Sequence, residues 1–298
     1  MKIGITGASG FIGRAIVEEA KERGLFVVGF TRSEGRELET CDETRSLADL
    51  GNLDLTGLDA ILNLAGEPIV GLWTKDKKRR IRESRLDLTE ALVETMGQIS
   101  RSRRPEVLVS ASAIGFYGDR GDDWLDEEAD VGFDFLSQVC RDWETMASGA
   151  SRLGVRVVTP RIGLVFGQGG FLKRLRPIFR AGLAGRLGSG NQWMSWIHLR
   201  DLARVFVDCA TNSSIRGRVN AVAPNPATNR EFTSAYATSL GRKAIFPVPS
   251  FALRRIPGGM SSLFLASQRV DPVVMKAFDF QWEHADLGET LALIESDR

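Results

Sequence analysis

Eight residues near the N-terminus, Thr6-Gly7-Ala8-Ser9-Gly10-Phe11-Ile12-Gly13, carry glycines at the spacing Gly-x-x-Gly-x-x-Gly. They follow a short apolar stretch, Lys2–Thr6, and open residues 11–23, where Phe11, Ile12, Ala15, Ile16 and Ala20 recur at helical spacing. Strand, tight turn and helix in that order make an anion site. Gly7 permits the sharp turn, Gly10 lets backbone N–H groups approach a pyrophosphate, and Gly13 lets the helix pack close to the sheet. The helix N-terminus adds a favourable dipole. The turn thus offers Gly7, Ser9, Gly10, Phe11, Ile12 and Gly13 to a dinucleotide, although the same spacing also serves as a capping turn in other α/β folds.

A second apolar run, residues 25–30, leads into Thr31-Arg32-Ser33. A site for NAD places Asp or Glu at this strand end to hold the ribose 2′-hydroxyl, whereas an arginine accepts a 2′-phosphate. The nearest acid is Glu34. Thr31 and Arg32 therefore favour NADP over the alternative, NAD, unless Arg32 is a surface arginine that stacks on adenine without choosing the phosphate.

The elements that must position these residues alternate along the chain. Apolar runs at 60–64, 106–110 and 155–160 read as strands buried on both faces, and 75–96 and 133–152 read as amphipathic helices. The alternation predicts an α/β fold, a Rossmann-type doubly wound parallel sheet over residues 1–166. From 167 to 298 glycine, basic residues and prolines at 224, 226, 247, 249, 257 and 272 break the pattern. Helices near 171–181, 202–210 and 230–240 and strands at 193–198 and 219–222 are expected there. This part reads as a smaller C-terminal substrate lobe, with some elements returning to the first domain.

With 298 residues, 43% hydrophobic and 26% charged, the chain can bury one large core or a domain plus a lobe. A net charge of +1 argues against nucleic acid and against a membrane surface as partners. The one dense basic stretch, residues 75–82, reads as the solvated face of a helix. The three cysteines (Cys41, Cys140 and Cys209) are widely spaced and fit a reducing, cytoplasmic setting better than a disulfide framework or a zinc site. No apolar run is long enough to span a bilayer, and a strand at the first residues leaves no room for a signal peptide.

Several segments together resemble the extended short-chain dehydrogenases/reductases: the TGASGFIG turn, Asn63-Leu64-Ala65-Gly66 and Ser110-Ala111-Ser112. More narrowly, the chain is similar to the atypical group called "epimerase family protein" within the NAD-dependent epimerase/dehydratase superfamily. The matching pieces run nearly end to end: AGEPI (65–69), IRESRLDLTEAL (81–92), SASAIGFYGD (110–119), TPRIGLVFGQGG (159–170), GSGNQWMSWIHLRDL (188–202), NAVAPNPATNREF (220–232) and SQRVDP (267–272). The resemblance implies that Leu64, Ala65 and Gly66 pass beneath the dinucleotide, that Arg85 contacts it from the long helix, and that Gly163 to Val165 approach the nicotinamide.

The wider family does its chemistry with Ser or Thr, a Tyr, and a Lys four residues after it, the lysine lowering the phenol pKa. Ser112 matches the serine, but the Tyr and Lys positions fall on Leu136 and Cys140. No lysine occurs between Lys78 and Lys173, and the only tyrosines are Tyr117 and Tyr236. Tyr117, in the loop after Ser112, is the substitute acid that the sequence offers, or else an aromatic wall. Glu67 is a second candidate if burial raises its pKa. His198 reads as a structural histidine bonded to backbone, and Trp73, Trp193 and Trp196 as either pocket walls or core. Two functions follow. One is an NADP-dependent oxidoreductase or epimerase with Ser112 and Tyr117 as catalytic residues, acting on a small molecule such as a nucleotide-sugar or another carbonyl compound. The other is a non-catalytic NADP(H) sensor. The oligomeric state is left open.

Overall fold

Strands buried on both faces must share their side chains between two helical layers, and the central sheet does so residue by residue. The computed structural model describes residues 1–33, 35–255 and 261–296, so Glu34 lies outside the described residues. The strands are β1 (Lys2–Thr6), β2 (Phe26–Thr31), β3 (Glu43–Ser46), β4 (Ala60–Asn63), β5 (Val107–Ser110), β6 (Ser112–Ala113) and β7 (Trp124–Leu125). They are followed by β8 (Arg156–Ile162), β9 (Leu164–Phe166), β10 (Trp193–Met194), β11 (Trp196–His198), β12 (Gly217–Ala221), β13 (Ala227–Thr228) and β14 (Arg269–Val270). The main helices are α1 (Phe11–Glu22), α2 (Lys75–Gln98), α3 (Phe135–Ser148), α4 (Gly170–Arg180), α5 (Leu199–Thr211) and α6 (Asn229–Ser239).

The central sheet runs β3-β2-β1-β4-β5-β8-β12, every neighbouring pair parallel, with β6 paired to β8. The order reverses between β1 and β4, which opens a crevice at their carboxyl ends. Ile3, Ile5, Leu62, Val107 and Val109 pack with α1 and α5, whereas Val28, Phe30, Ile61 and Leu108 pack with α2. Thr6, Asn63 and Ser110 stand level at the carboxyl edge.

β3 carries no apolar pattern in Glu-Thr-Arg-Ser that would predict a strand. It is an edge strand, tied to β1 by the ion pair from Glu43 to Lys2 (2.6 Å). The single strand expected over 193–198 is divided at Ser195, whose hydroxyl donates to the Gln268 carbonyl (2.8 Å) and accepts from Val270 N–H (2.9 Å). β10 then pairs antiparallel with β13 and β11 parallel with β9.

Beyond residue 166 a separate apolar cluster gathers Leu172 and Phe179 of α4, Trp196, Phe232 and Tyr236 of α6, and Leu291 and Ile294 of the helix Leu287–Ser296. The chain also returns to the central sheet, where β12 forms the edge beside β8.

The turn between β1 and α1 tolerates no side chain at Gly13. A Cβ there would stand 2.1 Å from the Gly7 carbonyl oxygen and 2.8 Å from Ala8 Cα, both backbone atoms with nowhere to go. Gly13→Ala is therefore expected to lower stability by about 1–3 kcal/mol, the usual cost of overpacking. Gly149→Ala, where a Cβ would meet Val93 Cγ1 at an ordinary 3.6 Å, should be close to neutral. Urea denaturation of the two variants checks both expectations.

Candidate dinucleotide site and the adjoining cavity

At the β1–α1 turn Gly7 takes φ +75°, and its carbonyl accepts from Gly10 N–H at 2.9 Å. A Cβ on Gly7 would lie 3.1 Å from Ala65 N and 3.2 Å from the Leu64 carbonyl carbon, so the turn rests on the end of β4. Gly10 caps α1 without a side chain, and the first turn holds no acid. The leading N–H groups of the helix therefore keep their capacity for an anion. The side chain of Phe11 faces away from that duty. Added Cβ atoms at Gly167, Gly169 and Gly170 would come within 3.0, 2.6 and 2.8 Å of its ring, so this glycine run exists to seat it. Ile12 packs against the core, leaving its backbone to the site. Ser9 is exposed, and its carbonyl accepts from Arg14 Nε at 3.0 Å.

At the end of β2, Thr31 Oγ1 accepts from Ser33 N–H (3.2 Å). Arg32 is exposed and makes no hydrogen bond or ion pair among the described residues. Glu67 departs from the sequence expectation. Its carboxylate bonds Lys77 Nζ at 2.6 Å, and this cation, with Arg80 and Arg32 nearby, holds its pKa below the usual range. It is therefore a poor proton donor.

A buried chain of hydroxyl and amide groups lies beneath the crevice. Thr6 Oγ1 donates to Asn63 Oδ1 (2.8 Å) and accepts from Leu64 and Ala65 N–H (3.1 and 3.2 Å). Asn63 Nδ2 and Trp143 Nε1 both donate to Thr89 Oγ1 at 2.9 Å. Arg85 is half-buried beside Gly66, where a Cβ would come within 3.0 Å of Arg85 Cζ. Its guanidinium donates to the Ile81 and Glu67 carbonyls (2.9 and 3.1 Å) and lies over the Trp143 ring, and burial pushes its pKa down.

Where the wider family keeps its acid–base pair, this chain has built a different network. Arg161 on β8 is 0% exposed. It donates through Nε and Nη2 to the two oxygens of Glu144, both at 2.9 Å, and through Nη1 to the Tyr117 hydroxyl at 3.0 Å. Ser112 Oγ donates to Glu144 Oε1 at 2.7 Å. The Tyr117 hydroxyl donates to Asn220 Oδ1 at 2.6 Å and lies 2.9 Å from the Asp126 carbonyl. Glu127 accepts from Asn220 and Val274 N–H (3.0 and 3.1 Å), and burial raises its pKa. Tyr117 is itself 0% exposed, and burial pushes its pKa to about 12. The structure thus brings Ser112 and Tyr117 into one network but commits both hydroxyls to protein partners. Cys140, at the expected lysine position, is buried with its thiol pushed up to about 11 by burial and by the neighbouring Glu144 charge. Glu144, Arg161, Glu127 and Asn220 escaped the sequence reading. Their signal was weak: Arg161 and Asn220 are polar residues within largely apolar strands, Glu144 is one of several charges on its helix, and Glu127 lies in an acidic loop, residues 126–130.

Beside this network, at the carboxyl ends of β6 and β8, opens a cavity of about 330 Å³. Ala113, Gly115, Leu136 and Gly163 form one wall and Trp193 and Phe232 another. Val165 faces the core rather than the cavity. Trp193 is thus a wall residue, whereas Trp73 and Trp196 are buried, Trp196 stacking on Phe166 at 5.4 Å. His198 caps α5 by accepting from Arg200 N–H (3.3 Å), and burial with the adjacent His284 lowers its pKa to about 4.

Sheet order, crevice and glycine turn together define a dinucleotide-binding α/β protein of the doubly wound type. Residues 3–221 match the NAD dependent epimerase/dehydratase family, and residues 248–294 match a domain of unknown function, DUF1731. The chain belongs to the NAD-dependent epimerase/dehydratase family. It is 35% identical to the chloroplastic epimerase family protein SDR39U1 homolog of Arabidopsis thaliana over 99% of this chain and 86% of that protein. It is 31% identical to the epimerase family protein YfhF of Bacillus subtilis, covering 100% and 99%. The crystal structure of human epimerase family protein SDR39U1 with NADPH superimposes with a TM-score of 0.90 at 30% identity, covering both chains fully. A nucleoside-diphosphate sugar epimerase from Corynebacterium glutamicum gives a TM-score of 0.80 at 32% identity over all of this chain and 59% of that one. No described helix is long and apolar enough to cross a membrane.

Two expectations follow from the buried network. Glu144→Ala leaves the Arg161 charge buried without its partner and should cost about 3–5 kcal/mol of stability in urea denaturation. Both tyrosines of the chain, Tyr117 and Tyr236, are pushed to about 12 by burial, above the ordinary phenol value of ~10. The folded state therefore holds these protons more tightly than the unfolded chain does. That contribution to stability is complete below pH ~10 and is lost as pH rises from there towards ~12. Ultraviolet titration of the native protein should show no tyrosinate near pH ~10, and absorbance should rise together with unfolding above that.

Proposed function

We propose that the chain binds NADP(H) at the β1–α1 turn and acts as an oxidoreductase or epimerase-like enzyme on a small carbonyl compound. The observation that carries this reading is the uncapped N-terminus of α1 behind glycines that admit no side chain, with Arg32 exposed at the end of β2. The NADPH in the human relative's crystal structure supports it. When bound, such a cofactor supplies a hydride or accepts one.

In this reading the backbone of Gly7, Ser9, Gly10, Phe11, Ile12 and Gly13 receives the pyrophosphate, and Thr31 with Arg32 receives the 2′-phosphate. Leu64, Ala65 and Gly66 form the floor, with Arg85 behind Gly66. Gly163 and Val165 border the nicotinamide end through their backbone. Residues 1–166 hold the cofactor, and residues 167–298 furnish much of the cavity wall. The free thiols suit the cytoplasm. Ser112 and Tyr117 serve chiefly to complete the Arg161–Glu144 network, since neither hydroxyl is open to a ligand. That same commitment favours a second reading, in which the chain senses NADP(H) without turnover.

Calorimetric titration with NADP⁺, NADPH, NAD⁺ and NADH tests the cofactor assignment. NADP(H) should bind at least about ten-fold more tightly than NAD(H), a margin of ~1.4 kcal/mol. Arg32→Ala should remove most of that margin while leaving NAD(H) binding unchanged. Equal affinities in the wild-type protein would overturn the assignment of Arg32.

A further inference from the structure

We propose that the cavity beside Gly163 takes an apolar, conjugated carbonyl compound of the quinone type rather than a nucleotide-sugar. The inference rests on the cofactor reading above and names the substrate class of that site.

The described lining offers a diphosphate no cation. Among the described residues that wall the cavity there is no lysine, arginine or histidine, and the one charged side chain is Asp134. Its carboxylate caps α3, with Oδ1 accepting from Ser137 N–H and Oγ, both at 2.9 Å. A nucleoside diphosphate brings two negative charges that need cations or a ring of N–H donors. An aromatic guest fits better: Phe171, Phe179, Trp193, Phe232 and Phe264 stand around a space of about 330 Å³, the small end of ligand cavities.

The proton supply points the same way. A simple ketone that accepts hydride becomes an alkoxide and needs an acid poised beside it. Here the Ser112 proton is directed to Glu144, Tyr117 is sealed behind Arg161 and Asn220, and the expected Tyr and Lys positions are Leu136 and Cys140. Hydrogen-bonding groups remain in the wall, Thr233 and Asn229 among them, but neither ionises. A quinone removes the need. The C–H bond of the reduced dinucleotide breaks, its hydride with two electrons bonds to the quinone, and the displaced π electrons settle on oxygen. The resulting anion is spread over the ring and takes its proton from water. Quinone, reduced dinucleotide and one proton give hydroquinone and oxidised dinucleotide.

The first test is binding without turnover. Protein saturated with NADP⁺ is titrated calorimetrically with menadione and with UDP-glucose, as wild type and as Leu136→Glu, with Leu187→Glu on another part of the wall as the second variant. Menadione should bind, UDP-glucose should not, and each carboxylate should weaken menadione by at least about ten-fold. NADP⁺ affinity, measured beside it, should stay unchanged and so report an intact fold. Consumption of NADPH should then follow menadione and not an aliphatic ketone. UDP-glucose binding as tightly as menadione, or menadione binding indifferent to both variants, would overturn the inference. So would menadione binding without NADPH consumption, while the cofactor reading stood. Failure of the NADP⁺ titration itself would overturn the cofactor reading and this inference with it.

Discussion

A full positive charge sits at zero exposure on β8, and much of the architecture around the crevice answers to it. Removing a guanidinium from water costs several kcal/mol unless geometry returns it through close charge and hydrogen bonds. Arg161 recovers that cost from four directions: the bidentate Glu144 carboxylate of α3, the Tyr117 hydroxyl, the Glu127 carbonyl, and the face of the Phe116 ring with Cζ 3.5 Å from its centre. These contacts tie together α3, the loop after β6 and β8. Asn220 of β12 joins through Tyr117, and its backbone N–H donates to the Glu127 carboxylate. One buried charge therefore holds four separate stretches of chain in register at the carboxyl edge of the sheet.

The same interaction decides what the site can do. Ser112 and Tyr117 are chemically able to serve a substrate, yet each has its hydroxyl turned into the protein. In the wider family a tyrosine–lysine pair presents a proton at this edge. Here the corresponding helix presents Leu136 to the cavity and buries Cys140. The cavity lacks the tyrosine–lysine pair and has an apolar side chain in its place.

The cofactor side is built on a different constraint, the absence of side chains. Gly7, Gly13 and Gly66 bring backbone against backbone, or backbone against the Arg85 guanidinium, at distances that a Cβ would violate or crowd. A second glycine run, 167 to 170, closes on the Phe11 ring and so braces the helix whose N-terminus faces the crevice. Binding capacity at the turn thus depends on residues more than a hundred positions away.

Much of this was legible in the chain itself. Apolar runs two faces deep announced the parallel strands, and glycine spacing announced the turn, because both are local rules of backbone and burial. The polar edge strand Glu43–Ser46 and the break at Ser195 were not legible, since hydrogen bonds to distant segments make the one and divide the other. The loss of the tyrosine–lysine pair was also evident from residue types alone. What only the tertiary structure decided was the fate of the groups left behind. Glu67 meets Lys77 and loses its candidacy as an acid, Tyr117 is drawn inward by Arg161 and Asn220, and Ser112 is claimed by Glu144. Whether a side chain can do chemistry depends on which partners reach it first, and those partners lie up to 103 residues away along the chain, brought close by the order of strands in the sheet.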